Sequence, residues 1–136
     1  MGGLDVLCQT TLRGFHGLGV LSPEPCRPFC AERRGISIGE GGALFVLEAA
    51  PAAEAPLMLL GVGESSDAHH MSAPHPEGLG ARLAMERALA DAGLEASSVD
   101  HINAHGTATP LNDKAEAAAI GALFPEELPV LSTKAY

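Results

Sequence analysis

Val99 to Asp113 reads V-D-H-I-N-A-H-G-T-A-T-P-L-N-D, and it sets a histidine at a position suited to chemistry. Ile102 to Ala104 is short and mostly apolar, which predicts a buried strand. His105, Gly106 and Thr107 then switch sharply to turn chemistry. His105 therefore stands at the mouth of a strand before a polar loop, and open α/β sheets gather their reacting groups at the carboxyl ends of strands. Taken singly, such a residue reads more readily as a satisfied structural histidine. Pro110 stops any regular element, and Asn112 and Asp113 are placed to cap a new helix. Glu116 follows Asp113 by three residues, so both project from one helix face. On its own it is a first-turn carboxylate favoured by the helix dipole. Lys134 ends another predicted strand, three residues after Leu131.

Other reactive side chains form weaker patterns. His69, His70 and His75 lie close in sequence, but adjacent histidines do not readily aim at one ion. Cys26-x-x-x-Cys30 lacks the partner pair of a zinc knuckle. Cys8 falls within a predicted helix and reads as a core residue, not a thiolate nucleophile. Gly61-x-Gly63 and Gly39-x-Gly41-Gly42 are not followed by a helix as a dinucleotide loop requires.

The elements that must position these residues follow from spacing. Leu4, Leu7, Thr11 and Phe15 predict a helix within 4–21, ended by Gly14, Gly17 and Gly19. Pro23, Pro25 and Pro28 make the next stretch a loop. Ala43 to Leu47 and Leu57 to Val62 read as buried strands, joined by an alanine-rich connector over 49–55. Glu64 to Pro76 is a polar loop. Ala81, Ala84, Met85, Ala88, Leu89 and Ala92 form one apolar stripe on a helix from about Gly78 to Gly93, with Gly93 as its left-handed cap. Arg82 with Glu86 and Arg87 with Asp91 are candidate surface pairs. A second helix, about Asp113 to Leu123, would bury Ala115, Ala118, Ala119 and Ala122, and a last strand starts at Val130 to Thr133. The order predicts an α/β fold, a mixed or parallel sheet flanked by helices.

The 136 residues, 46% of them hydrophobic, suffice for one core. A formal net charge of −9 argues against nucleic acid as a partner. Three cysteines argue against a disulfide framework. No run is long enough to span a membrane, and Met1 to Asp5 has no signal-peptide character, so the expected location is cytoplasmic.

His105-Gly106-Thr107-Ala108-Thr109-Pro110, followed by Asp113 and Glu116, closely resembles the H-G-T-x-T-P motif of β-ketoacyl-acyl-carrier-protein synthases, condensing enzymes of the thiolase superfamily. Gly2-Gly3-x-Asp5, Arg27-Pro28-Phe29, Gly39-Glu40-Gly41, Ser66-Asp67-Ala68-His69-His70-Met71 and Ser132-Thr133-Lys134 resemble further family segments in the same order. Cys30 and Arg34 depart from it, standing where a D-x-x-R-D-G segment carries aspartates. The resemblance implies a single partial thiolase-like domain over 1–136, with parts of both repeated halves. Residues 1–62 would close the N-terminal half and 77–136 open the C-terminal half. It also implies decarboxylative Claisen condensation of an acyl thioester with malonyl-carrier protein, in fatty acid or polyketide/polyene biosynthesis. His105, Lys134 and Glu116 would be catalytic, the glutamate paired with the lysine. Thr107 and Thr109 would bind the carrier's pantetheine arm, and Asp113 would support the site. The resemblance further implies an acyl carrier protein as partner, a homodimer, and no metal or organic cofactor. The family's nucleophilic cysteine and second histidine would fall outside this stretch. The alternative is a ketosynthase-like subunit or truncated product without activity of its own.

Overall fold

A computed structural model describes residues 1–49, 51 and 54–135. Two strands and a helix come first: β1 (Gly2–Asp5), α1 (Gln9–Gly17) and β2 (Gly41–Leu44). Then follow α2 (Leu79–Ala92), β3 (Ile102–Asn103), α3 (Pro110–Leu123) and β4 (Val130–Leu131), with short 3₁₀ turns at Ala96–Ser98 and Thr133–Ala135. The α/β expectation holds, but the described residues build two separate two-stranded sheets in place of one larger sheet.

β1 and β2 pair antiparallel, Gly2 opposite Leu44 and Asp5 opposite Gly41. The helix expected from Leu4 therefore starts only at Gln9, because cross-strand pairing claims Leu4 and Asp5. Cys8 becomes the N-cap of α1 and is exposed, so its reading as a core residue inside a helix is corrected. Ala43 to Leu47 is not buried: Leu44 is 90% and Val46 84% exposed, since no second layer lies on this ribbon among the described residues. Leu57 to Val62 likewise forms no strand and is largely exposed. It is instead tied to α2. Asp91 accepts the Val62 N–H at 2.9 Å, Arg87 donates to the Glu64 carbonyl, and Gly61 and Gly63 lie against the backbone of Ala84 and Ala88. The Arg87–Asp91 pair expected on the helix surface gives way to these contacts, while Arg82–Glu86 forms at 3.4 Å. The connector expected over 49–55 falls partly outside the described residues.

Strand β3, helix α3 and strand β4 form a parallel crossover, Ile102 opposite Val130 and Asn103 opposite Leu131. The core sits around this unit. Ala104, Ala108, Ala115, Ala119 and Ile120 are buried, as are Cys26, Thr107 and Asp113. The stripe expected on α3 is thus corrected: Ala118 and Ala122 are exposed, and Asp113 and Ile120 share the buried face with Ala115 and Ala119. The reason is that α3 turns this face to the loop before it and to α2. At the α2–α3 contact, Gly78 has φ +66, and a side chain there would meet the Cβ of Ala119 at 2.8 Å. The α2 stripe lies on one face but is half-buried, not buried. Gly93 caps α2 with φ +64, as its position predicts. The strand at Val130 ends at Leu131, so Lys134 rides on a 3₁₀ turn.

Candidate active site

The loop from Ala104 to Thr109 is held by two carboxylates of α3. Pro110 does not stop this helix; it opens it at the first position, where its missing N–H costs nothing, and Thr109 rather than Asn112 or Asp113 is the N-cap. That register puts Asp113 in the first turn and Glu116 nearly one turn further on, both facing back to the loop.

Asp113 is buried, and its two oxygens serve two strained residues. One accepts the N–H of Ala108 at 3.0 Å, the other the N–H of Phe29 at 2.7 Å. Ala108 and Phe29 have φ +60 and +59, a left-handed conformation that costs a non-glycine residue about 1 kcal/mol or more. Arg33 compensates the buried charge at 3.6 Å and also donates to the carbonyls of Cys30, Thr109 and Pro110. The departures at Cys30 and Arg34 therefore leave the loop's central ion pair intact. Sequence reasoning passed over Arg33; the signal was that a carboxylate on a buried helix face needs a cationic partner.

Glu116 grips the motif itself. Its oxygens accept the backbone N–H groups of His105 at 2.7 Å and Gly106 at 2.8 Å. The expected pairing with Lys134 is replaced by this bidentate hold, and the first-turn reading fails because the helix begins at Pro110. Gly106, at φ +44, leaves no room for a side chain: a Cβ would meet the Ser132 Cβ at 2.6 Å. Ser132 closes the contact by donating to the Gly106 carbonyl at 3.2 Å.

These restraints aim His105 at Lys134, whose Nζ lies 3.1 Å from the imidazole Nδ1. An ammonium only donates, so Nδ1 supplies the lone pair and the ring proton resides on Nε2. The result is an imidazole N–H held from both ends, by its backbone and by its far ring nitrogen. His105 and Lys134 are exposed, and His105 borders an open cleft of about 460 Å³. Thr107 and Thr109 line the same cleft, their hydroxyls 2.8 Å apart, opposite Phe15, Leu18 and Val20 of the α1 end. A larger hollow of about 710 Å³ covers the bare β1–β2 ribbon, far in character from a site, with no ionisable side chain in its lining.

The remaining sequence candidates lie apart from this arrangement. His69 and His75 meet edge to face at 5.0 Å, and His75 and His70 spend Nδ1 on the N–H groups of Glu77 and Ser72. Among the described residues no group of three or more metal-ligating side chains converges. Asp67 organises that loop, accepting the N–H of His75 at 2.9 Å and of His69 at 3.1 Å. These bonds, His75 first, hold its carboxyl below the usual carboxylate range. The Cys8 thiol is lowered chiefly by the Thr11 hydroxyl 3.2 Å away. No helix among the described residues is long and apolar enough to cross a membrane.

Residues 57–136 match the family described as Beta-ketoacyl synthase, C-terminal domain. The chain belongs to the β-ketoacyl synthase family. It is 42% identical to nodulation protein E of Rhizobium meliloti, over 98% of this chain and 35% of that protein. It is also 42% identical to 3-oxoacyl-[acyl-carrier-protein] synthase 2 of Staphylococcus aureus, over 98% and 36%. Among solved structures it resembles a ketosynthase in complex with its chain length factor from Xenorhabdus doucetiae, with a TM-score of 0.94 and 50% identity, covering 99% of this chain and 33% of that one. A β-ketoacyl synthase from Burkholderia phymatum gives a TM-score of 0.88 at 36% identity, over 99% and 35%. The fold is therefore part of the thiolase-like ketosynthase fold, and the chain spans about a third of the length of the relatives it matches.

Proposed function

We propose that this chain is a segment of a β-ketoacyl-[acyl-carrier-protein] synthase and carries the enolate-stabilising half of its site. In such a reaction a malonyl thioester loses carbon dioxide, the electron pair of the broken C–C bond passes into an enolate, and the enolate attacks an acyl thioester. The enolate oxygen needs hydrogen-bond donors fixed before charge develops. His105 supplies one through Nε2–H. Lys134 sets the tautomer, and Glu116 sets the backbone that carries the ring. The observation that supports this reading is the 3.1 Å contact between Lys134 Nζ and His105 Nδ1. Thr107 and Thr109 line the cleft where the pantetheine arm of an acyl carrier protein would run. In this reading residues 1–62 belong to the N-terminal half and 77–136 to the C-terminal half, and the complete enzyme is a homodimer acting in the cytoplasm.

Retention of the His105–Lys134 pair favours a catalytic assignment over a ketosynthase-like subunit without activity. None of Cys8, Cys26 and Cys30 lines the cleft that His105 borders, so the segment alone has no thiolate positioned for acyl transfer. With one donor where the resemblance implies two, its decarboxylation should be about a hundredfold slower than a complete site allows.

A malonyl-pantetheine analogue with an amide N–H in place of the thioester sulfur should shift the NMR signals of His105, Thr107 and Thr109, and His105→Ala should abolish the response. A radiolabelled acyl-carrier thioester should leave no covalent label. Label at Cys8, Cys26 or Cys30 with turnover on adding malonyl carrier, or a response to the analogue elsewhere in the chain, overturns the reading.

A further inference from the structure

Cys26 has no place in the reaction as derived, yet it is one of the few buried side chains in the molecule, at 4% exposure. It sits in the loop between Leu21 and Ile36, which is closed at its neck by a parallel bridge and by hydrogen bonds from Ser22 N–H to the Ile36 carbonyl and Ile36 N–H to the Val20 carbonyl. Inside the loop the Cys26 N–H donates to Ser37 Oγ at 3.0 Å, and Ser37 Oγ donates to the Glu24 carbonyl at 3.3 Å. The Cys26 backbone is thereby anchored at a fixed depth. Its thiol donates to the main-chain carbonyl of Lys134 at 2.9 Å, across 108 residues of sequence.

We propose that Cys26 is a positioning residue for the His105–Lys134 pair. Lysine reaches its partner through a long flexible stem, so the aim of Nζ depends on where the backbone holds Cα. Lys134 lies at the end of a strand pair only two residues long, on a single 3₁₀ turn, and little regular structure restrains it. Two contacts supply the restraint. On one side the Lys134 N–H meets Ser132 Oγ at 3.4 Å, and that hydroxyl donates to the carbonyl of Gly106, next to His105. On the other side the Cys26 thiol holds the carbonyl. The lysine is thus fixed between the loop that carries the histidine and a separate proline-rich loop, and its amine is delivered to Nδ1. An S–H donor is weak, but the Cys26 side chain is buried and the contact is partly withdrawn from water. The proposal rests on the reading of His105 as the donor to substrate, because only then does the aim of Lys134 bear on the reaction.

The test reads the ¹⁵N resonance of His105 Nδ1 in the full chain labelled at histidine, with Lys134→Ala as the reference for a lost contact. Cys26→Ala should move the resonance most of the way to that reference. Cys26→Ser, which keeps a donor, should leave it near the wild-type position. Cys26→Val fills the volume without a donor and carries the same expectation as alanine, should the smaller side chain unfold the loop. Circular dichroism establishes that helix content is retained. A Nδ1 resonance unmoved in Cys26→Val, or moved equally in Cys26→Ser, overturns the proposal. A Lys134→Ala variant that leaves Nδ1 unmoved overturns the pair itself. If Cys26→Val moves Nδ1 but the malonyl analogue never perturbs His105, Cys26 still positions the pair and the reading of His105 as donor to substrate falls.

Discussion

The loop before α3 and the β1–β2 ribbon are built on opposite terms. Around the loop, polar side chains satisfy backbone groups: Asp113 serves Ala108 and Phe29, Glu116 serves His105 and Gly106, and Ser132 serves Gly106. Every donor and acceptor in that knot lies within this chain. The ribbon, Gly2-Gly3-Leu4-Asp5 against Gly41-Gly42-Ala43-Leu44, has weak strand formers and almost no burial, with Leu4 83% and Leu44 90% exposed. A strand's apolar face stabilises only what another layer covers, and the described residues put no layer there. Polar networks can close locally, whereas sheet faces cannot. The reactive histidine is mounted on the part that closes locally.

The sharpest way to break this contrast is Asp113→Ala. It leaves the guanidinium of Arg33 without its carboxylate and two left-handed residues without their anchor. A loss of about 3–5 kcal/mol is expected, read as a lowered midpoint in urea. A loss below about 1 kcal/mol would mean that the knot is not what holds this region together.

Glu116→Gln keeps one acceptor and turns an amide donor on the second N–H. It should cost about 1–3 kcal/mol and accelerate hydrogen exchange at the His105 and Gly106 amides. Unchanged protection at both amides would show that the bidentate hold is not formed in solution.

The Asp67 loop offers a test by pH. Its carboxyl titrates below the ordinary value, so the stabilisation it gives is complete above about pH 4 and is lost as the pH falls through the lower folded-state value. Below about pH 4 the His75 and His69 amide signals should move towards random-coil positions as these two bonds are lost. Asp67→Asn should abolish that acid transition while leaving the His105 amide untouched. A transition that persists in the variant assigns it to another group.

Leu44→Lys carries the smallest expected effect. On the bare ribbon it should change stability by no more than about 0.5 kcal/mol and reduce self-association. A loss comparable to that of Asp113→Ala would show that the ribbon face is covered after all.

His105, Gly106, Thr107 and Lys134 could be named from the chain because the family motifs they match are local runs: H-G-T-x-T-P after a strand, and S-x-K after the next apolar run. The stripe on α2 and the Gly93 cap were legible for the same reason, since helical periodicity and a left-handed terminus depend on neighbours within one or two turns. Partners could not be read this way. Leu4 follows helical spacing yet pairs with Gly42, because long-range hydrogen bonding outweighs a weak local preference. Pro110 reads as a stop but opens α3, since only the register of the following turns decides whether its missing N–H matters. Ala43 to Leu47 and Leu57 to Val62 carry the composition of buried strands, but composition cannot say what lies against a strand. Glu116 lies on the helix face its spacing predicts, but its partners are backbone amides and not the lysine that the resemblance implies. Side-chain type fixes what a carboxylate can accept; only the packing of α3 against the loop decides that it takes two backbone amides rather than a lysine.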